Sequence, residues 1–358
     1  MAAAAAALML SSCSSLSYYT QAAQGQLELL ADARPIDDWI ADTNTNVKLR
    51  HRLEAARQIR RFAIQDMKLP NNGSYTNYTS LKRQYVLWNV VATPELSLRP
   101  MQWCFPVAGC VNYRGYYSKS AAQAYARQLR AQGNDVEVGG VSAYSTLGWF
   151  NDPLVSTFIN YPDAELARLI FHELAHQVVY VQGDSQFNES FASAVEQAGV
   201  EAWLERFGNP AMSEAYERYK ARKGDFLALL VRYRGELERT YKSMAPDDIK
   251  RAGKARLFIA LKDDYEILKA SWGGYAGYDR FFAEPLSNAH LASVATYNDL
   301  VPAFRALLRR EKTWTGFYKA VNRLAALDKK ERTRVLTGLA TTGATGLQVV
   351  QRTMSALP

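Results

Sequence analysis

The chain is poor in cysteine, with three in 358 residues; a zinc ribbon would need two pairs and is excluded. No run reaches the roughly 18 consecutive apolar residues of a transmembrane helix. Internal repeats are absent, and low-complexity sequence is confined to Ala2–Ala7. There is also no long polar tract, and 48% hydrophobic against 22% charged residues is the balance of a folded chain with a sizeable core. Nor is basic charge concentrated. The net charge is +8, yet RHRLEAARQIRR (50–61), VRYRGELER (231–239) and KKERTR (329–334) interleave bases with acids or apolar residues, as on solvated helix faces. That pattern argues against nucleic acid as a partner, and leaves an anionic membrane surface or a cell-wall polymer as partners the charge would suit.

The first segment, MAAAAAALMLSSCSS, is a short apolar run ending in small residues, which suits a removed signal peptide over 1–12. Leu10-Ser11-Ser12-Cys13 resembles the bacterial lipobox, although no Lys or Arg precedes the apolar run. The resemblance implies cleavage before Cys13 and lipidation of that cysteine. The expected location is the bacterial cell envelope, on the periplasmic side of the outer membrane, with a floppy Ala-rich terminus as the alternative. Cys104 and Cys110, in WCFPVAGCVNYRGYYS, are close enough to close a small disulfide loop in an oxidising compartment; two reduced cysteines on neighbouring strands remain the other reading.

From Gln21 to Met67 apolar residues recur at helical spacing, broken near Arg34-Pro35 and at Pro70, which predicts two or three helices. QYVLWNVVATP (84–94), MQWCFPV (101–107) and GCVNYRGYY (109–117) are β-branched and aromatic, bounded by Pro and Gly, and read as strands. A helix over 118–133 follows, with Ser118 or Ser120 as cap and Gly133 as stop. DVEVGGVSAYSTLG (135–148) returns as an extended segment. Beyond Pro162 helices are expected at 163–181, 185–207, 210–244, 246–271, 290–309, 314–327 and 330–341. The expected fold is α+β and mostly helical: a small mixed sheet with an edge strand beside the 163–181 helix, then a large helical lobe. A lobe over 13–162 and another over 163–358 make one catalytic domain.

The chemistry concentrates in FHELAHQVVYVQGDSQFNESFASAVE (171–196). His172 and His176, at i and i+4, lie one above the other on a helix and can aim two imidazoles at one ion. Glu173, beside that face, is placed to take a proton from an activated water and not to act as a ligand. Gly183 supplies a left-handed stop, and Asp184 or Ser185 can cap a new helix. His176 precedes Gly183 by seven residues and Glu189 follows it by six, so an antiparallel pair brings them opposite each other. Glu189 becomes the third ligand of a site with mixed nitrogen and oxygen donors, which favours Zn²⁺ and leaves a fourth position open. Glu196, two turns beyond, can accept from the outer nitrogen of a ligand histidine. Both acids also read as surface residues of an amphipathic helix.

HELAH followed by NESFASAVE resembles the HExxH and NE-x-F-A helices of gluzincin (zincin-like) metallopeptidases. FAIQDMKLPNNGSYTNYTSLKRQYVLWNVVATPELSLRPMQWCFPVAGCVNYRGYYS, GGVSAYSTLGWFNDPLVST and LSNAHLASVATYNDLVPAF are similar to a bacterial lipoprotein family of predicted zinc aminopeptidases, over nearly all of the mature chain. The resemblance implies a secreted, lipid-anchored zinc peptidase acting on peptides.

In zinc peptidases an edge strand pairs with the extended substrate backbone. Gly139 to Tyr144, with Gly139, Gly140, Ser142 and Tyr144 named, is the candidate, unless the glycine pair marks only a bulge. Tyr297 is the expected oxyanion donor, ahead of His290 and Asn288. The expected function is zinc-dependent hydrolysis of peptide bonds with Glu173 as general base, as an aminopeptidase. A zinc endopeptidase acting on envelope peptides and a non-catalytic envelope lipoprotein with a structural metal are the alternatives.

Overall fold

The computed structural model describes residues 18–105, 109–143, 145, 146, 148–292 and 300–341. Cys13, Tyr144, Tyr297 and the signal segment lie outside them. Three helices open the chain: α1 (18–31), α2 (Ile36–Ala41) and α3 (Val47–Gln65). The Asn46 side chain accepts from the Lys48 amide to start α3, and Leu53, Ala56, Ile59, Phe62 and Ala63 form its buried stripe at helical spacing. The break expected at Arg34-Pro35 is itself a strand, β1 (Arg34–Pro35). It pairs antiparallel with β2 (Asn77–Thr79), which runs parallel to β8 (Leu154–Val155).

A second sheet positions the site. β3 (Leu87–Pro94) lies between β6 (Arg114–Tyr116) and β7 (Asn134–Val141), all antiparallel, so β7 is an edge. Alternation along the strands divides the faces. Trp88, Val90, Ala92, Val136 and Val138 pack on α4 (Lys119–Ala131) through Ala122, Ala126 and Leu129. The opposite face, carrying Leu87, Asn89, Val91, Glu137 and Gly139, opens into a cleft. Ser118 caps α4 by accepting from the Ala121 amide, and Gly133 stops it at φ +81°, as expected.

The stretch 109–117, expected as one strand, is two. β5 (Gly109–Val111) and β6 are separated by a bend at Asn112 and Tyr113. β5 pairs with β4 (Trp103–Phe105) as a ribbon in which Cys104 faces Cys110 and is bonded to it. The single mixed sheet of the sequence reading is therefore three small sheets, of which only β1-β2-β8 is mixed. Strands of two or three residues are too short to carry one ladder through all eight.

Past Pro162 come α5 (Asp163–His176), α6 (Ser185–Phe207), α7 (Pro210–Lys242) and α8 (Asp247–Ser271). They are followed by α9 (Asn288–Ala292), α10 (Val301–Glu311), α11 (Trp314–Ala325) and α12 (Lys329–Thr341). The fold is mostly helical with small sheets, in agreement with the α+β expectation. The main core joins Leu53 and Ile59 of α3 to Phe171 of α5, Phe191 of α6, Phe304 of α10, Phe317 of α11 and Leu336 of α12, so it spans both sides of residue 162. The α7–α8 hairpin carries its own core around Phe226, Leu230, Leu261 and Tyr265. Among the described residues no helix is long and apolar enough to cross a membrane.

Candidate active site

The start of α5 is held from a distance. The Arg52 guanidinium donates to the carbonyls of Ile159 and Tyr161 at 2.8 and 2.6 Å and pairs with Asp163, while Asp163 and Glu165 suit the positive end of the helix. Leu166, Ile170, Phe171 and Leu174 are fully buried, each worth about 1.5–3 kcal/mol. The helix ends at His176, short of the expected 181. Gln177 is the C-cap, its side chain held by Asn72 and Ser74, and the Asn188 amide grips both backbone groups of Val181 at 2.8 Å. Gly183 turns the chain at φ +76°, and Asp184 caps α6 by accepting from the Phe187 amide. α6 is buried from Phe187 to Leu204 on nearly all sides, and its Gly199 admits Met67 and Phe171, into which a Cβ would collide at 2.3 and 2.8 Å.

This hairpin brings the expected ligands together. The Nε2 atoms of His172 and His176 lie 3.2 Å apart, and the Glu189 carboxylate is 3.4 Å from the first and 3.7 Å from the second. All three ligand atoms fall within 4.8 Å of one another. Glu196 accepts from His172 Nδ1 at 2.9 Å, which turns Nε2 toward Glu189. The same Glu196 oxygen takes Arg168 at 3.1 Å, and Arg168 is held in turn by Glu165 at 3.0 Å. Burial opposes charge on Glu196, but Arg168 and His172 outweigh it and keep the carboxyl well below its usual range. Burial likewise opposes charge on His172, and there the carboxylates of Glu189 and Glu196 win and raise it; burial and the His172 charge hold His176 down. With both rings neutral, two facing imidazole lone pairs and a carboxylate have room for one cation between them, which would take the place of the proton the carboxylates favour on His172. The donor set fits zinc. His176 Nδ1 is buried without a partner among the described residues, so only His172 is oriented by a carboxylate.

Glu173 borders the same cleft, of about 670 Å³. It has no hydrogen-bond partner among the described residues, and burial, with Glu189 and Asp152 adding to it, pushes its carboxyl up to about 7. Gly139 and Gly140 of β7 line the cleft. Gly140 is required on the other face, where a Cβ would strike the Tyr85 ring at 2.2 Å. Ser142 lies past the end of β7 with its carbonyl engaged by the Thr157 hydroxyl at 2.5 Å, so the strand edge stops at Val141. His290 and Asn288 are not brought to the cleft. The His290 ring accepts from the Ser287 amide and packs on Phe281, and Asn288 is tied to Tyr241 and the Glu95 carbonyl.

Tyr113 and Tyr180 are cleft tyrosines that sequence reasoning missed. Burial first, then Glu189, raises the Tyr180 hydroxyl above its ordinary value and keeps it a donor. Tyr180 stands four residues after His176, a spacing that carried a signal; Tyr113 enters only through the β5–β6 bend. Arg168, four before His172, was likewise legible as a same-face neighbour. On the far flank, Tyr18, Ala22 and Gln26 of α1 form a wall, held to β6 through Gln21 and Gln26, which bond Tyr117.

Comparison with known families matches residues 17–336 to the family described as "Putative aminopeptidase". Neither the curated proteins nor the solved structures give a match.

Proposed function

Because the chain belongs to the "Putative aminopeptidase" family, we propose that it is a zinc-dependent peptidase whose ligands are His172, His176 and Glu189. The observation that carries this reading is the convergence of those three donors within 4.8 Å, with Glu173 beside them in an open cleft. When bound, the metal supplies a Lewis acid that polarises the peptide carbonyl and makes water acidic enough to attack. The Glu173 carboxylate takes the proton from the attacking water and returns it to the leaving amine, so no net proton is consumed in that exchange. Tyr180 and Tyr113 are the cleft hydroxyls proposed to stabilise the oxyanion, alongside Tyr297, which lies outside the described residues. Glu196 and Arg168 keep His172 in the tautomer whose Nε2 faces the ligand site. Export with a lipid on Cys13, at the cell envelope, belongs to the same reading and is supported by the Cys104–Cys110 bond.

Glu173→Gln preserves size while removing the basic carboxylate. Zinc content by mass spectrometry should stay near about one equivalent, and turnover of short peptides should fall by about 10²–10⁴. Wild type and Glu173→Gln cleaving equally would sink the role of Glu173. A fully zinc-loaded wild type that cleaves no peptide would favour a structural metal.

A further inference from the structure

Glu137 is a cleft acid with no charged partner among the described residues, its cross-strand neighbour being Val91. Other buried or partly buried carboxylates have partners, among them Asp135 with Lys254 at 2.6 Å, Asp184 with Arg332 at 2.7 Å, and Asp152, which accepts from Thr146 at 2.8 Å. Glu137 has neither an ion pair nor a hydrogen bond among the described residues. It sits in the middle of β7, where alternation turns Val136 and Val138 toward α4 and therefore Glu137 toward the cleft that also holds His172, Glu173 and Glu189. Burial alone pushes its carboxyl up to about 7, with no cation to bring it down.

A second acceptor stands on the neighbouring strand. Asn89 pairs with Gly139 in the β3–β7 register, so it lies diagonally across from Glu137 on the same face. Its Oδ1 is buried without a donor, and the residue lines the same cleft. Both acceptors border bare backbone: Asn89 Oδ1 leans toward β6, 3.4 Å from where a Cβ on Gly115 would sit, and a Cβ on Gly139 would come 3.6 Å from Glu137 Oε1. A carboxylate and an amide oxygen that both lack donors, beside a bare backbone, form a patch complementary to a group made only of donors and positive charge. In a peptide that group is the α-ammonium of the first residue or the side chain of a lysine or arginine.

Resting on the peptidase reading above, we propose that Glu137, with Asn89, binds the free α-ammonium of the substrate and so restricts cleavage to the N-terminal residue. Occupation supplies both the missing countercharge of Glu137 and the missing donor of Asn89. An N-acetylated peptide would leave the carboxylate unpaired, which is a strong basis for rejection.

The test uses the zinc-loaded full chain and the 4-nitroanilides of alanine, leucine and lysine, each with its α-amine free or acetylated. Wild type should prefer the free amines by about 10²-fold in kcat/KM. Glu137→Gln should lose that preference mainly through KM, with unchanged zinc content and melting temperature no lower than wild type, and Asn89→Ala should weaken it by about 10-fold. A Glu137→Gln protein that keeps the full preference overturns the proposal and leaves the peptidase reading intact. Glu137-dependent cleavage of Nα-acetyl-lysine nitroanilide overturns it in favour of a side-chain pocket. Equal wild-type cleavage of free and acetylated forms overturns it too. Calorimetry with leucinamide and N-acetyl-leucinamide on Glu173→Gln, with and without Glu137→Gln, reads the amine site without turnover. Should wild type cleave nothing, the peptidase reading fails, and amine recognition then stands or falls on whether leucinamide binding requires Glu137.

Discussion

An unpaired carboxylate in a cleft is a cost to the folded state, and at Glu137 the sign can be worked out. Its carboxyl titrates near 7 in the fold and, exposed in the unfolded chain, near its ordinary 4.5. Between those values the folded state holds more protons than the unfolded one, so stability falls as pH rises through that window and the loss is complete above it. Glu137→Gln has no such term. Its melting temperature relative to wild type should therefore be higher at pH 8 than at pH 4.5, with other titrating groups cancelling in the difference. A difference independent of pH would mean that Glu137 is solvated, and one of the opposite sign that it is already paired. The same residue scale marks what the sequence could reveal. His172, Glu173, His176, Glu189 and Glu196 were legible because one hairpin of known period sets their spacing. Glu137 and Asn89 were not, since their juxtaposition depends on the register of two strands with β4, β5, β6 and α4 between them in the chain.

Among the elements, the α5–α6 hairpin departs from its expected form in an informative way. Apolar periodicity continues through Val178, Val179 and Val181, and nothing in it marks the end of the helix at His176. What ends the helix is a set of side-chain bonds from Asn72, Ser74 and Asn188 to the loop, and such bonds leave no periodic trace. The strands misread for a related reason: 109–117 is continuously β-prone, and only the pairing partner decides where one strand stops. Asn188 directly precedes Glu189, so its grip on Val181 also fixes the start of α6. Asn188→Ala would orphan the Val181 N–H, at about 1–3 kcal/mol, while the Val181 C=O keeps the Asp184 amide at 3.2 Å. Zinc affinity, measured against a competing chelator, should fall about 10- to 100-fold, as for removal of other outer partners of a ligand. Unchanged affinity with lowered stability would show that Glu189 is positioned by α6 packing alone.

At the scale of the molecule, the last described helix reaches back to the hairpin that carries the site. Arg332 of α12 donates to Asp184 from Nε and Nη2 at 3.1 and 2.7 Å, both side chains nearly solvent-free at 5% and 6% exposure. Its Nη1 bonds the carbonyls of Ala325 and Leu327 at the end of α11. Asp184 is at the same time the N-cap of α6, so one carboxylate links the C-terminal helices to the segment leading to Glu189. Removing only the arginine leaves the buried carboxylate facing just the exposed Lys329 ammonium at 3.8 Å, and breaking a buried pair costs up to about 3–5 kcal/mol, whereas replacing both partners with uncharged groups is often neutral. Arg332→Met should therefore lower the free energy of unfolding in urea by up to about 3–5 kcal/mol. Adding Asp184→Asn, which keeps a capping oxygen, should restore most of that loss. A double variant no more stable than Arg332→Met would place the cost in the α11 carbonyls and not in Asp184. Zinc affinity measured on the same proteins separates two kinds of coupling. If α12 only clamps the core, affinity stays level while stability moves; if the clamp sets the start of α6, affinity falls in Arg332→Met and returns in the double variant.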